Sequence, residues 1–256
     1  MTKFFNPCQG NSQPTSSRLR PGFTLAESMI ALGILVVLIT GFLAVFGPAA
    51  DTIRRTLSAA EASRLQDTLT TEMTSLKSTR EINRFQDNPM NKAFEWVTGS
   101  TLAGSAVVVY KYRANPSIAR DDGTQDIFPS VEGIAGQDYI IQPIARRVDD
   151  PEFFRDLQAL EGRIYLVKMV QMVFESGSWQ PEFDIENQVP GQRAQISDPF
   201  NGGRDFGGSA DQFTQPALLV EASFYPLPSV AEQYLRNVDP TTIKRPAFTR
   251  SLVLMR

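Results

Sequence analysis

Glu27 is the residue whose type and position most strongly suggest chemistry. It lies at the start of an apolar run, and no charged residue occurs from Ser28 to Gly47. An ionisable group inside so apolar a segment is costly and usually has a partner or a function. The alternative is a glutamate that only extends its carboxylate toward a membrane surface. Directly upstream, the Gly22-Phe23 junction joins a polar, basic leader to the apolar run, so Glu27 and this junction form the first candidate site.

The rest of the chain offers little catalytic chemistry. It contains no histidine, and its single cysteine, Cys8, lies within the first 22 residues. The lack of histidine excludes Ser-His-Asp and Cys-His triads and imidazole metal sites. The net charge is −3, and the sequence shows neither a basic surface nor a nucleic-acid-binding motif. We therefore expect no enzyme, no cofactor and no nucleic-acid partner.

Three acidic groups resemble catalytic carboxylate pairs only superficially. All of them stand in polar, turn-like sequence, where carboxylates are normally solvated and keep an ordinary pKa. We predict solvated surface for each of these groups, which are Asp121-Asp122, Asp149-Asp150, and Glu182 with Asp184 and Glu186.

The element that must position Glu27 is a membrane-spanning helix. Twenty helical residues at about 1.5 Å each span the hydrocarbon layer of a bilayer, which is about 30 Å thick. Lys3, Arg18 and Arg20 precede the run without any acidic residue, which favours a cytoplasmic N-terminus. Arg54 and Arg55, just beyond the far end, oppose this orientation.

Residues 18–50 resemble the type IV pilin and pseudopilin family. Its prepilins carry Gly followed by Phe-Thr-Leu-x-Glu and then a transmembrane helix, and Gly22, Phe23, Thr24, Leu25 and Glu27 match without a gap. The start is also similar to the prepilin-like proteins of Verru_Chthon cassettes.

The resemblance implies cleavage between Gly22 and Phe23 by a prepilin peptidase, followed by N-methylation of Phe23. Glu27 would then meet the charged N-terminus of a neighbouring subunit. The implied partners are other pilin-like subunits in a helical filament and the inner-membrane assembly machinery. The filament would be a type IV pilus or a type II secretion pseudopilus. The implied location is the inner membrane, with a single pass and a periplasmic head, and later the filament.

A second hypothesis is a secreted or membrane-tethered extracytoplasmic protein that binds a ligand or acts as an enzyme. Residues 1–47 would then be a general secretory signal, with small residues at Gly47-Pro48-Ala49, or an uncleaved anchor. The apolar run is longer than the usual signal core of about 7–15 residues, which favours the prepilin hypothesis.

The predicted fold class is α+β, with a long N-terminal helix packed on a C-terminal antiparallel sheet, as in pilins. The predicted segments are a leader at 1–22, a transmembrane helix at 23–47, its amphipathic continuation at 48–86, and a β-rich extracytoplasmic head at 87–256. Pro48 predicts a kink or local break rather than a stop. An apolar stripe at helical spacing predicts the continuation to about Arg84, and it comprises Ile53, Leu57, Ala60, Leu65, Leu69, Met73 and Leu76.

The head domain shows strand signals separated by turn residues. Runs rich in β-branched and aromatic residues predict strands at 106–112, 138–144, 162–174, 217–225 and 247–255. A short helix is predicted at 151–160, with Asp150 as its cap.

The segment 175–216 is long, polar and rich in glycine, so it is predicted to be functional or disordered. Four aromatic residues are candidates to pin it to the domain or a partner, namely Trp179, Phe200, Phe206 and Phe213. Oxygen ligands of the kind that calcium prefers are Asp198, Asn201, Asp205 and Asp211. Their spacing matches no calcium motif, and such clusters are usually turns, so calcium is a weak hypothesis.

Overall fold

The computed structural model describes residues 24–185, 187, 189–198, 200–201 and 210–256, and only the backbone of residues 45–60. The chain divides into two compact units, one ending at Thr56 and the other running from Leu57 to Arg256. Mixed helices and an antiparallel sheet make up the second unit, as the α+β prediction required.

The first helix, α1, comprises Leu25–Met73 and continues through Pro48 without a break. The prediction that it extends to about Arg84 is wrong. The hydroxyls of Thr74 and Ser75 donate to carbonyls of the preceding turn, and Ser78 accepts a hydrogen bond from the Glu81 N–H. Ser78 thereby caps a separate helix, α2, at Thr79–Phe85.

A third helix, α3, comprises Pro89–Gly99 and was not predicted. The chain leaves α2 through Gln86 and Asp87, both in the left-handed region with φ of 54° and 56°. Asn88 then caps α3 by accepting from the Met90 N–H, and Pro89 takes the first helical position. Proline is favoured there because that N–H has no partner within a helix. Residues 87–89, which the sequence predicts to end a helix, thus also lead into the next one.

Within the described residues, a seven-stranded sheet forms the centre of the second unit. The order is β2-β1-β4-β6-β7, with β3 paired to β1 and β5 paired to β4, and all pairs are antiparallel. The strands are β1 Val107–Ala119, β2 Gln125–Ile127, β3 Ile140–Arg147, β4 Leu160–Glu175, β5 Ser178–Pro181, β6 Ala217–Pro226 and β7 Phe248–Met255.

All five predicted strands are present, with ends displaced by up to seven residues. Two short helices, α4 at Pro151–Asp156 and α5 at Glu232–Arg236, lie between strands. Asp150 caps α4 as predicted, by accepting from the Glu152 N–H. The short strands β2 and β5 and helix α5 were missed, because segments of three to five residues carry little periodicity.

Alternation along the strands creates a main core on each face of the sheet. Val107 and Val109 of β1 belong to the first core, and Val108 and Tyr110 belong to the second. Leu65, Leu69 and Met73 of α1 and Phe94 of α3 also belong to the first core. Phe153 of α4 and Leu235 of α5 belong to the second. Helical residues therefore cover both faces of the sheet.

The segment after β5 is partly anchored in the domain. Phe213 is buried in the first core and packs edge-to-face on Phe94, with ring centroids 5.1 Å apart. Trp179 and Phe200 are exposed, and Phe206 lies outside the described residues. Of the four aromatic candidates, Phe213 is the one that the structure places in the core.

Candidate functional site

The first 20 residues of α1, Leu25–Ala44, are long and apolar enough to cross a membrane, although a signal sequence near an N-terminus has the same properties. All of these side chains are exposed in the first unit. So many exposed apolar side chains need an apolar environment from outside the unit, supplied by lipid or by other helices.

Thr24 and Glu27 form a reciprocal cap at the start of this helix. Glu27 Oε2 accepts from the Thr24 N–H at 2.9 Å and from the Thr24 hydroxyl at 2.8 Å. The Glu27 N–H donates in return to the Thr24 hydroxyl oxygen at 3.3 Å. This is the capping-box arrangement, which satisfies backbone donors that a helix start leaves unpaired.

The cap engages one carboxylate oxygen of Glu27 and leaves the other available. Within the part of the chain that the structure describes, Oε1 of Glu27 has no hydrogen-bond or ion-pair partner. Glu27 thus has a local structural role that the sequence analysis did not recognise, although the Thr-x-x-Glu spacing signals it. Gly22 and Phe23, the predicted processing residues, lie outside the described residues.

A second cluster of charges, in the head domain, surrounds the buried carboxylate of Asp156. Arg146 donates to Asp156 at 3.0 Å and Arg120 donates to it at 2.6 Å. The hydroxyl of Tyr110 donates to Asp156 at 2.6 Å. We call these four residues the Asp156 cluster. Phe153 and Asp156 lie three residues apart on one face of α4, so the sequence did place a carboxylate beside an apolar residue on that face.

Two of the acidic pairs predicted to be solvated contribute to this cluster, so that prediction is wrong for one member of each. Asp122 and Asp150 are half-buried, and each pairs with Arg146 at 2.9 Å. Asp121 and Asp149 are exposed, as predicted. The polar sequence around the pairs did not reveal that β3 places Arg146 between them. In the third group, Asp184 is exposed, Glu182 is half-buried, and Glu186 lies outside the described residues.

The electrostatics of the Asp156 cluster stabilise charged forms. Burial raises the pKa of Asp122, but hydrogen bonds from Thr124 and the charge of Arg146 outweigh it and lower that pKa overall. Burial and the charge of Asp156 raise the pKa of Tyr110 well above its usual range. No nucleophile stands beside a free base here, because guanidinium and phenol groups occupy the carboxylate of Asp156. The arrangement fixes α4 to β1 and β3 and does not form a catalytic constellation.

A cleft of about 970 Å³ lies between α2 and the rim of the Asp156 cluster. Its walls carry charges of both signs, including Arg80 and Arg84 on one side and Asp121 and Glu152 on the other. Nη2 of Arg120, at its floor, has no hydrogen-bond acceptor, but the guanidinium lies 5.7 Å from the ring centre of Tyr112. Oε2 of Glu152 also has no hydrogen-bond donor, but it lies 3.3 Å from Nη1 of Arg120, so the charges of these two residues already offset each other.

Lys92 connects the end of α1 to α2 and α3. Its ammonium is fully buried and lies 2.7 Å from Glu72 and 2.8 Å from Glu81. It also donates to the Ser75 carbonyl at 3.1 Å. This buried ion pair stabilises the break between α1 and α2 that the sequence analysis missed.

Among the buried cations of the described residues, Lys168 is the one whose charge is least offset by neighbouring groups. It lies on β4, is 1% exposed, and donates to the Ile243 carbonyl at 2.9 Å. Its ammonium also lies 4.6 Å from the ring centre of Tyr225. Burial, with the like charge of Lys244, lowers the pKa of Lys168 to about 8.

Of the weak calcium candidates, Asp198 and Asn201 are adjacent in the fold, since the Asn201 N–H donates to the Asp198 carbonyl at 3.0 Å. Asp198 is buried and accepts from Thr214 at 2.8 Å and 2.6 Å and from the Phe200 N–H at 3.0 Å. Its carboxylate therefore closes a loop of its own chain. Asp205 lies outside the described residues, and no group of three or more acidic side chains suited to a metal occurs within them.

Comparisons with protein-family models, with curated proteins and with solved structures find no match to this chain. The functional argument therefore depends on the residues and geometry described above.

Proposed function

We propose that the protein is a prepilin-like structural subunit. One observation carries the proposal, namely an exposed helical segment whose only charged residue, Glu27, lies in its first turn. The resemblance of residues 18–50 to prepilins implies that this carboxylate pairs with the N-terminus of a neighbouring subunit. Oε1 of Glu27 is available to form that pair. The function is assembly into a type IV pilus or a type II secretion pseudopilus, without catalysis.

In this mechanism, the apolar helix holds the subunit in the inner membrane, with its N-terminus in the cytoplasm. Cleavage after Gly22 exposes the amino group of Phe23, which is then methylated. Glu27 keeps its cap with Thr24 through Oε2, while Oε1 receives the cationic N-terminus of a neighbouring subunit. A carboxylate in an apolar bundle requires such a cation, so the pair sets the register between subunits. The apolar helices form the filament core and the head domains lie outside, where α1 packs on the sheet as in pilins.

The first test is the N-terminal mass of the protein isolated from membranes. We expect a chain that begins at N-methylated Phe23. A chain beginning near Ala50, or one that retains Met1, would contradict the proposal and favour a secreted or tethered ligand-binding protein or enzyme.

The second test replaces Glu27 with alanine. The Glu27→Ala protein should be cleaved and should remain in the membrane. We expect its incorporation into sheared filaments to fall by roughly tenfold or more, because it lacks the partner for the neighbouring amino group.

Glu132→Ala is the matched control, since Glu132 is an exposed glutamate of the head domain without a described ion pair. Filaments that form equally well from both variants would exclude an assembly role for Glu27.

A further inference from the structure

An exposed apolar surface lies at one end of the sheet. Strand alternation puts five large side chains on the same face, because residues two apart along a strand share a face and paired residues do too. We call them the sheet-end patch, and they are Phe174, Trp179, Leu219, Val253 and Met255.

The strand registers bring these side chains together. Phe174 of β4 pairs with Trp179 of β5, and their rings meet edge-to-face with centroids 5.3 Å apart. Leu219 of β6 pairs with Val253 of β7, and Met255 pairs with Ala217 in the next row.

Exposure distinguishes the patch from the opposite face of the same strands. Phe174 and Trp179 are 60% and 57% exposed, and Val253 and Met255 are 53% and 68% exposed. On the opposite face of the same strands, Leu218, Leu252 and Leu254 are buried in the first core. Clustered aromatic, Met and Val side chains on a rigid sheet are typical of a protein-binding surface.

The outer edge of β7 adjoins the patch and is open there. The Arg256 N–H donates to the carbonyl of Pro216, the residue before β6. Near the end of β7, even-numbered residues therefore direct their backbone N–H and C=O groups toward β6, and odd-numbered residues direct theirs outward. The outward carbonyl of Ser251 accepts from Gln66 of α1 at 3.3 Å. The N–H and C=O groups of Val253 and Met255 have no partner among the described residues.

These features define the occupant. Four unpaired backbone groups in a row bind an extended strand, whose residues opposite Val253 and Met255 would point toward the patch. The intervening residues would point toward Arg250 and Arg256, which are the only charged residues of β7 and its following position. The complementary strand therefore alternates apolar and acidic residues.

A second copy of β7 is a poor occupant. Antiparallel pairing centred on Val253 places Arg250 of one copy opposite Arg256 of the other, and like charges in such pairs are destabilising.

We propose that the sheet-end patch and the free edge of β7 bind an extended segment of another polypeptide, which adds to the sheet as a strand with alternating apolar and acidic residues. This site lies in the head domain and does not depend on filament assembly or on Glu27.

The test uses the full chain in detergent and a labelled, end-capped peptide of sequence Thr-Val-Glu-Val-Glu-Val-Thr. We expect saturable binding by fluorescence polarisation and slower hydrogen exchange at the Val253 and Met255 amides. A scrambled peptide of the same composition should bind roughly tenfold more weakly or worse, because its apolar side chains no longer share a face.

Two variants separate the edge from the patch. Val253→Pro removes an outward N–H without breaking a bond to β6, and it should weaken binding about tenfold or more. Trp179→Ser should weaken binding through the patch alone, whereas Val253→Thr keeps the N–H and should have a smaller effect than Val253→Pro. If Val253→Pro does not fold, a peptide N-methylated along the edge that faces β7 tests the same hydrogen bonds on the unaltered protein. It lacks the N–H donors for β7 and should bind more weakly.

Equal binding of the peptide and its N-methylated form, or no saturable binding up to about 1 mM, would overturn the proposal, since such a peptide complex would be too weak to count as a site. Dimers of the full chain that disappear in Val253→Pro would also overturn it, by showing that a second copy occupies the edge.

Discussion

The apolar segment Leu25–Ala44 and the unit Leu57–Arg256 distribute polar and apolar groups in opposite ways. In the segment, Leu, Ile and Val side chains are exposed, and the one carboxylate is held by the helix start. In the larger unit, Leu69, Phe94 and other apolar side chains form buried cores, and Asp156, Lys92 and Lys168 are buried as well.

This difference shows which part of the chain is complete by itself. The larger unit has a core on each face of its sheet, and it supplies counter-charges to most of its buried ions. The apolar segment has no core, so lipid or neighbouring helices must cover it. Changes in the two regions should therefore affect different measurements, namely unfolding of the head domain and partition into membranes or filaments.

The largest loss in the free energy of unfolding is expected from a change at Asp156. This carboxylate is fully buried, whereas Asp149 is exposed. Asp156→Asn leaves the guanidinium groups of Arg120 and Arg146 without their shared buried carboxylate. We expect a loss of about 3–5 kcal/mol in the free energy of unfolding, measured by urea denaturation, because breaking a buried pair leaves an uncompensated charge. Asp149→Asn, on the exposed neighbour of Asp150, should cost about 1 kcal/mol or less. Equal losses of unfolding free energy in Asp156→Asn and Asp149→Asn would show that buried and exposed carboxylates contribute equally to stability.

A slightly smaller effect is expected from two leucines of the same helix. Leu69 is fully buried in the first core, whereas Leu35 is 52% exposed in the apolar segment. Leu69→Ala should lower the free energy of unfolding of the head domain by about 2–5 kcal/mol, because it creates a cavity.

Leu35→Ala should leave unfolding of the head domain unchanged, and it should weaken membrane partition. A large change in unfolding from Leu35→Ala would show that the apolar segment belongs to the folding unit after all.

A gradual change in stability, smaller per pH unit than the losses above, is expected from the titration of Lys168. Its folded pKa of about 8 lies below the ordinary value of about 10.4 in an unfolded chain. Between these values the unfolded state binds more protons, so stability should rise with pH, by at most about 1.4 kcal/mol per pH unit.

Lys168→Met should abolish that rise, and the comparison of wild type and variant between pH 7 and 10 isolates it from tyrosine titration. Parallel stability profiles for the two proteins would show that Lys168 keeps an ordinary pKa.

Local patterns predicted elements well where periodicity was long. The run predicted as a strand at 162–174 lies within β4, and Asp150 followed by Pro151 correctly marked the start of α4. The break between α1 and α2 was missed because the apolar stripe continues to Leu76, while the hydroxyls of Thr74 and Ser75 and the buried Lys92 decide the outcome. Lys92 stands twenty residues beyond Glu72, and a periodicity argument does not detect such a contact.

The candidate sites were predictable to different degrees. Glu27 was identified from its apolar surroundings alone. The Asp156 cluster was not, because it joins β1, β3 and α4 and the turn at 120–124 through tertiary contacts. The sheet-end patch depends on registers between four strands, which no single segment of sequence contains.

The hydrogen bond between Gln66 and Ser251 joins residues 185 positions apart. The first core likewise combines Leu65 with Leu254. Contacts between such distant residues form slowly. The chain must first lose the conformational entropy of closing a long loop, and the contacts stabilise the fold only afterwards. The head domain therefore cannot complete its first core until residue 254 has been synthesised and has crossed any membrane in its path. Before β7 pairs with β6, β6 is an open strand edge. Chaperones that shield exposed strand edges would act at this stage.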